Sequence, residues 1–293
     1  MNRQSAHGPT TVDPPPSDDS AIDRGTVIRR VETLAEYRAC VALQELTWGE
    51  GFSERVPVSV LLVAQKLGGV VVAAFEPTGG IVGFVFGLTG LMHGRIVHWS
   101  DMLAVHPSAR GCGIAERLKR HQRDLVRALG VETMHWTFDP LVARNARLNL
   151  QRLGARAVEY VPNMYGDGTG SPLHGGVPTD RLVVVWDLTR DVAAVAPSAP
   201  RAAPLVNPPG GDGRPTLSAL PDADRVRVAV PHDVHVLPSA DHAAWRATTR
   251  AAFLAYLERG YVIDAFRRGD GDELPYYELA RPSGQQPSTE RVA

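Results

Sequence analysis

One stretch of this chain limits its fold more than any other, and it spans residues 103–115. It reads Leu-Ala-Val-His-Pro-Ser-Ala-Arg-Gly-Cys-Gly-Ile-Ala, in which an apolar run ends at Pro107 and two glycines open a helical pattern that continues to about Leu129. This order predicts a strand, a loop and a helix. The free N–H groups of a first helical turn and the positive end of the helix dipole attract an anion, and glycine lets that anion approach the backbone.

Three kinds of phosphate loop contain closely spaced glycines. The kinase-type loop needs a Lys directly after its glycines, and none follows Gly113. The dinucleotide fingerprint needs a third glycine where the chain has Glu116, and no acid closes a strand at the required distance. The third pattern, Val-x-Pro-x-x-Arg-Gly-x-Gly-Ile-Ala, resembles the loop of the GNAT superfamily of acyl-CoA N-acyltransferases, with Arg110 and Ala115 at matching positions.

Composition excludes several other classes of protein. A 293-residue chain with 44% hydrophobic residues can bury one large or two small cores, and its net charge of −1 does not favour nucleic-acid binding. Cys40 and Cys112 are too few for a disulfide framework or a Cys-rich metal site. No apolar run approaches a membrane span and no signal pattern opens the chain, so we expect a cytoplasmic protein. Only Lys66 and Lys119 are lysines, a bias that by itself indicates no function.

Periodicity predicts the order β-α-α-β-β-β-α-β-α-β-β over residues 26–188. Thr33 with Glu36 three residues later is typical of a capping box at the first helix. We therefore predict an α/β fold, a GNAT-like mixed β-sheet flanked by helices, with antiparallel strands first and a parallel pair around the cofactor.

Four segments follow from the shifts in composition. Residues 1–24 are predicted to be a disordered tail, 25–190 the acyltransferase domain, and 191–224 a linker rich in Pro, Ala and Gly. Residues 225–293 are predicted to form a small α+β extension. Because this extension is too small for a core of its own, we expect it to pack on the domain or on a second subunit, in which case the protein is a homodimer.

Five further stretches resemble a GNAT subfamily associated with N-succinylamino acid racemases. The resemblance implies transfer of an acetyl or succinyl group, from acetyl-CoA or succinyl-CoA, to the amino group of a small amine or amino acid by direct attack, with no metal. Where relatives often have Ser-His-Met-Leu, this chain has Ser-Asp-Met-Leu. The matching stretches are Ser100–Leu103, Trp136–Leu141, Asn145–Leu150, Tyr160–Gly166 and Pro178–Arg181.

The resemblance also implies which residues contact the cofactor. The pantetheine arm would pair with one strand, the phosphates would bind the glycine loop, and a helix after the fifth strand would contact the arm. Cys112 is the free position of that loop, and we do not expect it to act as a nucleophile. The implied residues are Leu103, Ala104 and Val105 on the strand, Arg110, Gly111, Cys112, Gly113, Ile114 and Ala115 in the loop, and Asn145 on the helix.

Candidate catalytic residues must take a proton from the amine and give one to the thiolate. For the base we favour Asp101, with His98 as the alternative. Many GNAT proteins carry a Tyr acid on the helix after the fifth strand, but residues 149–151 of this chain contain none, so Tyr160 and Tyr165 are the candidate replacements. Arg181 beside Asp180 could bind an amino acid zwitterion or form an internal ion pair.

Two other functions remain open at this level. One is a non-catalytic acyl-CoA-binding module, and the other is a protein N-acetyltransferase. Nothing in the composition suggests a nucleic-acid or membrane partner.

Overall fold

A computed structural model of the chain describes residues 25–190 and 203–282, except 167, 175, 218, 270 and 272. The predicted tail 1–24 lies outside the described residues, as does the first part of the predicted linker, residues 191–202. None of the helices in the described part is long and apolar enough to cross a membrane.

Ten strands and five α-helices make up the described structure. The strands are β1 Val27–Arg30, β2 Val70–Phe75, β3 Ile81–Met92, β4 Arg95–Val105, β5 Thr133–Phe138, β6 Arg156–Val161, β7 Arg181–Asp187, β8 Arg225–Ala229, β9 Val262–Arg267 and β10 Tyr276–Ala280. The helices are α1 Leu34–Trp48, α2 Val58–Lys66, α3 Ile114–Arg127, α4 Ala143–Ala146 and α5 Ser239–Glu258.

Local sequence explains the start of α1 but not the form of the helix after β5. The hydroxyl of Thr33 accepts from the N–H of Glu36, and the carboxylate of Glu36 accepts from the N–H of Thr33, which completes the capping box at α1. The helix predicted after β5 has only one α-helical turn, and it continues as a π-helix over Arg147–Arg152. π-Helical turns are rare in proteins, and those that occur are often found at functional sites.

The first seven strands form one sheet in the order β1-β2-β3-β4-β5-β7-β6. All neighbouring pairs are antiparallel except β4 and β5, which are parallel. Helices pack on both faces, so the predicted α/β class with a mixed sheet flanked by helices is confirmed. The predicted parallel pair at β4 and β5 is also confirmed.

Two apolar cores lie on the two faces of this sheet. On one face, α1 and α2 pack over inward residues of β2, β3 and β4, among them Phe84 and Phe86. On the other face, α3 packs with Ile114 and Leu118 over a larger core that also includes Trp136. The two faces of β4 therefore contact different helices, which matters for the site below.

The C-terminal unit consists of α5 and a three-stranded sheet of order β8-β10-β9. Its aromatic residues belong to the same apolar cluster as the α3 face of the large sheet. The ring of Phe253 lies 5.3 Å from that of Tyr160 and 5.2 Å from that of Tyr277, whose hydroxyl donates to the Pro140 carbonyl over 2.8 Å. In this structure the unit packs directly on the end of β5 and on β6.

Candidate active site

The parallel strands β4 and β5 diverge after only two paired positions. His98 pairs with Met134 and Trp99 with His135, and no later residue of β4 pairs with β5. Beyond that point β4 continues along β3 and β5 continues along β7. We call the space between these strands the β4–β5 fork; it lies between Ser100–Val105 and Trp136–Phe138. Along the fork the two facing strand edges do not hydrogen-bond to each other.

A β-bulge lies at the narrow end of this fork. Ser100 pairs with Gly87 and Met102 with Phe86, so Asp101 is the extra residue of β4. The bulge inverts the alternation of the strand: Ser100 faces α3, whereas Met102 and Ala104 face α1 and α2. A bulge of this kind redirects side chains, and here Asp101 lines the cleft.

The fork is the centre of a cleft of about 1070 Å³. Most of the cofactor residues implied by the sequence line it, together with two of the four catalytic candidates. These lining residues are Asp101, Leu103, Ala104, Val105, Arg110, Gly111, Gly113, Ile114, Ala115, Asn145 and Tyr165.

The wide end of the cleft has the features of an anion site. Gly111 and Gly113 have φ of +89° and +75°, values that L side chains rarely adopt, and a Cβ at either would project into open space. Gly113 is the N-cap of α3, whose first turn leaves the N–H groups of Ile114 and Ala115 without partners inside the helix. Arg110 lies beside them and donates from Nε to the Val105 carbonyl over 3.3 Å. These groups suit a phosphate.

The narrow end of the fork holds a buried polar chain. Lys119 Nζ donates to Ser100 Oγ over 2.8 Å, and Ser100 Oγ donates to Gln122 Oε1 over 2.8 Å. The amide nitrogen of Gln122 lies 2.9 Å from His98 Nε2, and His98 Nδ1 lies 2.9 Å from Thr89 Oγ1. Because both ring nitrogens of His98 have neutral partners and burial lowers its pKa to about 3, this histidine is uncharged.

Two carboxylates line the side of the cleft nearest α1. Glu54 follows that helix, and Asp101 protrudes from the bulge. Loss of water in the cleft and the nearby charge of Glu54 raise the pKa of Asp101 above its ordinary value. A carboxylate with a raised pKa is a stronger base than an ordinary one, which suits a group that must take a proton from an ammonium ion.

A cationic side chain, Arg181 at the start of β7, lines the same cleft. Its NH2 donates to His174 Nε2 over 3.1 Å and its NH1 donates to the Asp180 carbonyl over 2.9 Å. Asp139 lies 3.7 Å from Arg181, but it accepts a shorter bond of 2.5 Å from Arg246. Since Asp139 is paired with Arg246, it neutralises little of the positive charge of Arg181, and this charge is available to a ligand in the cleft.

The carboxylate of Asp180 is structural. It accepts from Tyr160 over 2.5 Å and from both Arg250 Nε and NH2. Burial alone would raise the pKa of Asp180, but these hydrogen bonds outweigh burial and lower it. Asp180 therefore pairs with Arg250, and the internal ion pair with Arg181 considered from the sequence does not form.

Three residues proposed from the sequence do not line the cleft. His98 is fully buried beneath the sheet in the polar chain described above. Tyr160 lies under Phe253, with its hydroxyl bound to Asp180. Cys112 packs against the larger core instead of lining the cleft. Tyr165 does line it, with its hydroxyl 3.0 Å from Thr137 Oγ1.

A contact between two loops closes the cleft beside Arg181. The loop after α1 meets the loop between β6 and β7, where the Ser53 N–H donates to the Thr169 carbonyl over 2.9 Å and the rings of Phe52 and His174 lie 6.5 Å apart. Gly170 approaches the Gly51 carbonyl so closely that a Cβ there would clash with it. The part of the cleft beside Arg181 is thus covered by these two loops.

Sequence reasoning missed the C-terminal wall of the cleft and its buried lysine. His232, His235, Phe266 and Arg268 come from the C-terminal unit and line the same cleft as the glycine loop. Contacts between segments more than 100 residues apart leave no local pattern in the sequence. Lys119, by contrast, carried a signal, because it lies one and a half turns into α3 on its apolar face. Within the described residues, no cluster of three or more His, Cys, Asp or Glu could hold a metal ion.

Comparison with known proteins gives matches among solved structures only. No protein-family model matches the chain, and no curated protein matches it. One matching structure is a chain of the NatC complex bound to Gag peptide and CoA, with TM-score 0.46, 16% identity, 56% of this chain covered and 98% of that chain.

Two further matching structures are bacterial enzymes. The N-acetyltransferase from Staphylococcus aureus Mu50 has TM-score 0.45 and 18% identity, covering 56% of this chain and 99% of that one. The ribosomal-protein-S18-alanine N-acetyltransferase from Escherichia coli has TM-score 0.43 and 16% identity, and the match covers 60% of this chain and 99% of that one. The proposals below rest on the residues of this chain.

Proposed function

We propose that this protein is an acyl-CoA-dependent N-acyltransferase, which moves an acetyl or succinyl group from CoA to the amino group of an amino acid. The observation that carries the proposal is the β4–β5 fork with the glycine loop and the α3 N-terminus at its wide end. A fork of this kind offers strand edges to an extended, amide-containing arm, and the loop offers N–H groups to the phosphates of the same molecule.

The residues of the loop and of β4 would hold the acyl donor. Backbone N–H groups at Gly113–Ala115 and the charge of Arg110 would bind the pyrophosphate. The edge of Leu103–Val105 would pair with the amides of the pantetheine arm, and Asn145, which also lines the cleft, would contact the arm from α4. With the phosphates at the wide end, the arm would extend along the fork and bring the thioester toward Ser100.

Direct attack requires an amine close to the thioester and a base for its proton. Asp101 lies at the bulge, and its raised pKa favours proton uptake from an ammonium group. Asp101 would first take one proton from the ammonium and pass it to water, which gives a neutral amine. As this nitrogen attacks the carbonyl carbon, Asp101 would take its second proton, while backbone N–H groups of the fork would stabilise the oxyanion.

The charges around the pocket support an amino acid as acceptor. Asp101 and Glu54 would attract an α-ammonium group, and the guanidinium of Arg181 would bind a carboxylate. The roof formed by Ser53 and Thr169 favours a small acceptor over an extended peptide.

A thiol-release assay tests the proposal. Acetyl-CoA and succinyl-CoA would each be incubated with the protein and with panels of D- and L-amino acids, matched decarboxylated amines and short peptides. We expect release of CoA thiol with amino acids and much less with the decarboxylated amines. Tight binding of CoA without release would indicate a non-catalytic binding module. Preference for peptides would indicate a protein N-acetyltransferase, and absence of CoA binding would refute the proposal.

A further inference from the structure

The two lysines of the chain occupy opposite environments. The sequence contains 31 Lys and Arg residues, of which only Lys66 and Lys119 are lysines. Lys66 is exposed on α2, whereas Lys119 is 2% exposed and lines the cleft. Among the described residues, the most deeply buried side chain of the Lys and Arg set is thus a Lys, in a chain that otherwise uses Arg. This difference matters chemically, because an ammonium can give up its proton in a protein and a guanidinium cannot.

The position of the Lys119 amine is defined by both arms of the β4–β5 fork. On β4, Nζ donates to Ser100 Oγ over 2.8 Å, and on β5 it lies 4.0 Å from the ring centre of Trp136. Ser100 and Trp136 each directly follow the last paired residues of their strands, Trp99 and His135. Nζ therefore lies at the narrow end of the fork, where the two strands separate.

The proton donor suggested by the family resemblance is absent from this region. The segment without a Tyr contains Asn149, whose Oδ1 accepts from Trp136 Nε1 over 3.1 Å, so this side chain is occupied in holding the indole. Tyr160 is outside the cleft, and the Tyr165 hydroxyl is hydrogen-bonded to Thr137 Oγ1, one residue further along β5 than Trp136, with the ring beside Arg181. At the narrow end of the fork, Asp101 is the proposed base, and Lys119 is the cationic side chain, held beside Ser100 and Trp136.

We propose that Lys119 is the general acid of the acyl transfer, which gives its proton to the sulfur of the leaving CoA thiolate. This inference rests on the proposed function. The thioester C–S bond breaks and its electron pair stays on sulfur, which takes the proton from Nζ. The new C–N bond forms at the same carbon after the ammonium has lost its first proton through Asp101 to water, and the second proton of the attacking nitrogen goes to Asp101. Lys119 is left as a neutral amine, which then takes a proton from water. Ser100 is a positioning residue that holds Nζ.

The surroundings of Lys119 suit a group that must lose its proton. Among the described residues no carboxylate forms an ion pair with it, since Glu116 on the same helix is bound to Arg120 and Arg152. His98, which lies beyond Gln122 in the polar chain, is uncharged. Burial lowers the pKa of the ammonium well below its ordinary value, which makes it a better acid near neutral pH.

The closing experiment measures two quantities in the 293-residue protein, the pKa of the bound CoA thiol and the rate of turnover. In the complex with CoA, the ultraviolet absorbance of the thiolate reports the pKa of the bound thiol. We expect that pKa to be about one unit lower in the wild type than in Lys119→Met, because a nearby ammonium stabilises the thiolate. Lys119→Arg should preserve this shift. Lys66→Met is the matched control and should behave as the wild type.

The turnover rate then shows whether Lys119 acts as a proton donor or only as a fixed positive charge. Both Lys119→Met and Lys119→Arg should lower kcat about 10²- to 10⁴-fold, with KM for acyl-CoA within about twofold. The wild-type kcat should fall at high pH, where Lys119 is deprotonated, and both variants should lose that fall. If Lys119→Met does not fold, Ser100→Ala tests the proposal instead. This substitution removes the hydrogen bond that holds Nζ, so it should lower kcat and shift the fall of kcat at high pH.

The outcomes distinguish this proposal from the one on which it rests. Failure of the wild type to bind CoA or to turn over refutes the acyltransferase and Lys119 together. If the wild type turns over but Lys119→Met keeps the same kcat, pH profile and thiol pKa, only the role of Lys119 is refuted. A Lys119→Arg variant with wild-type kcat would show that charge alone is needed and would overturn the proton transfer.

Discussion

The glycine that caps α3 offers a test in which protein stability and cofactor binding are separated. Gly113 has φ of +75°, and a Cβ built on it meets no protein atom within 4 Å. Gly113→Ala therefore costs only the left-handed backbone conformation, about 1–2 kcal/mol in the free energy of unfolding. The added methyl would, however, occupy the space in which a phosphate approaches the first turn of the helix.

The cost to binding is larger than the cost to stability. Losing one hydrogen bond between an N–H group and a charged phosphate costs about 1.5–3 kcal/mol, which corresponds to a roughly 10- to 150-fold weaker Kd for CoA. Calorimetric titration with CoA at 25 °C measures this Kd, and urea unfolding of the same samples measures the free energy of unfolding.

Gly130 provides the matched control, because it lies just beyond the other end of α3. Its φ is +79°, and a Cβ there also meets nothing within 4 Å. Gly130→Ala should lose the same stability as Gly113→Ala and bind CoA as the wild type does. Wild-type affinity in Gly113→Ala, or an equal loss of affinity in Gly130→Ala, would refute the phosphate site at the α3 N-terminus.

Three further substitutions test the acceptor side and the packing. Asp101→Asn should lower kcat about 10²- to 10⁴-fold, since only the carboxylate accepts a proton. It should also abolish the rise of kcat that accompanies deprotonation of Asp101, whose pKa is raised. An unchanged pH–rate profile would contradict the assignment of Asp101 as the base. Arg181→Lys should raise KM for an amino acid about tenfold, but not KM for the matching amine without a carboxylate, because the guanidinium binds a carboxylate with two hydrogen bonds. Arg250→Met should lower the free energy of unfolding in urea by about 3 kcal/mol, because it leaves the buried Asp180 charge unpaired. That loss should shrink as the pH falls and Asp180 takes up a proton, and a loss independent of pH would refute the explanation.

Local sequence determined the elements of this fold because their causes are local. Thr33 and Glu36 form a capping box within four residues, and the glycines of the 103–115 stretch precede α3 as the pattern predicts. Alternation and helical periodicity, which depend on neighbours at most four positions away, gave the order of the first eleven elements. The same local pattern predicted the glycine loop that lines the cleft.

Strict alternation could not predict which residues of β4 reach the cleft. Without the bulge at Asp101, Ser100 and Met102 would face the same side of the sheet, whereas they contact α3 and the α1–α2 core, respectively. A bulge is set by the register with β3, which no short segment of β4 specifies. His98 was considered from its place in the strand, and the packing of α3 buries it.

The sequence by itself thus determined the strand, the glycine loop and the helix around which an anion site can form. Only the tertiary structure decided where β4 and β5 part, which side chains lie in the fork, and that Lys119 is among them. It also decided that residues such as Arg268 of the C-terminal unit form a wall of the same cleft. The physical reason is that burial and charge pairing depend on chain segments far apart in sequence, whereas caps, turns and periodicity depend on neighbours.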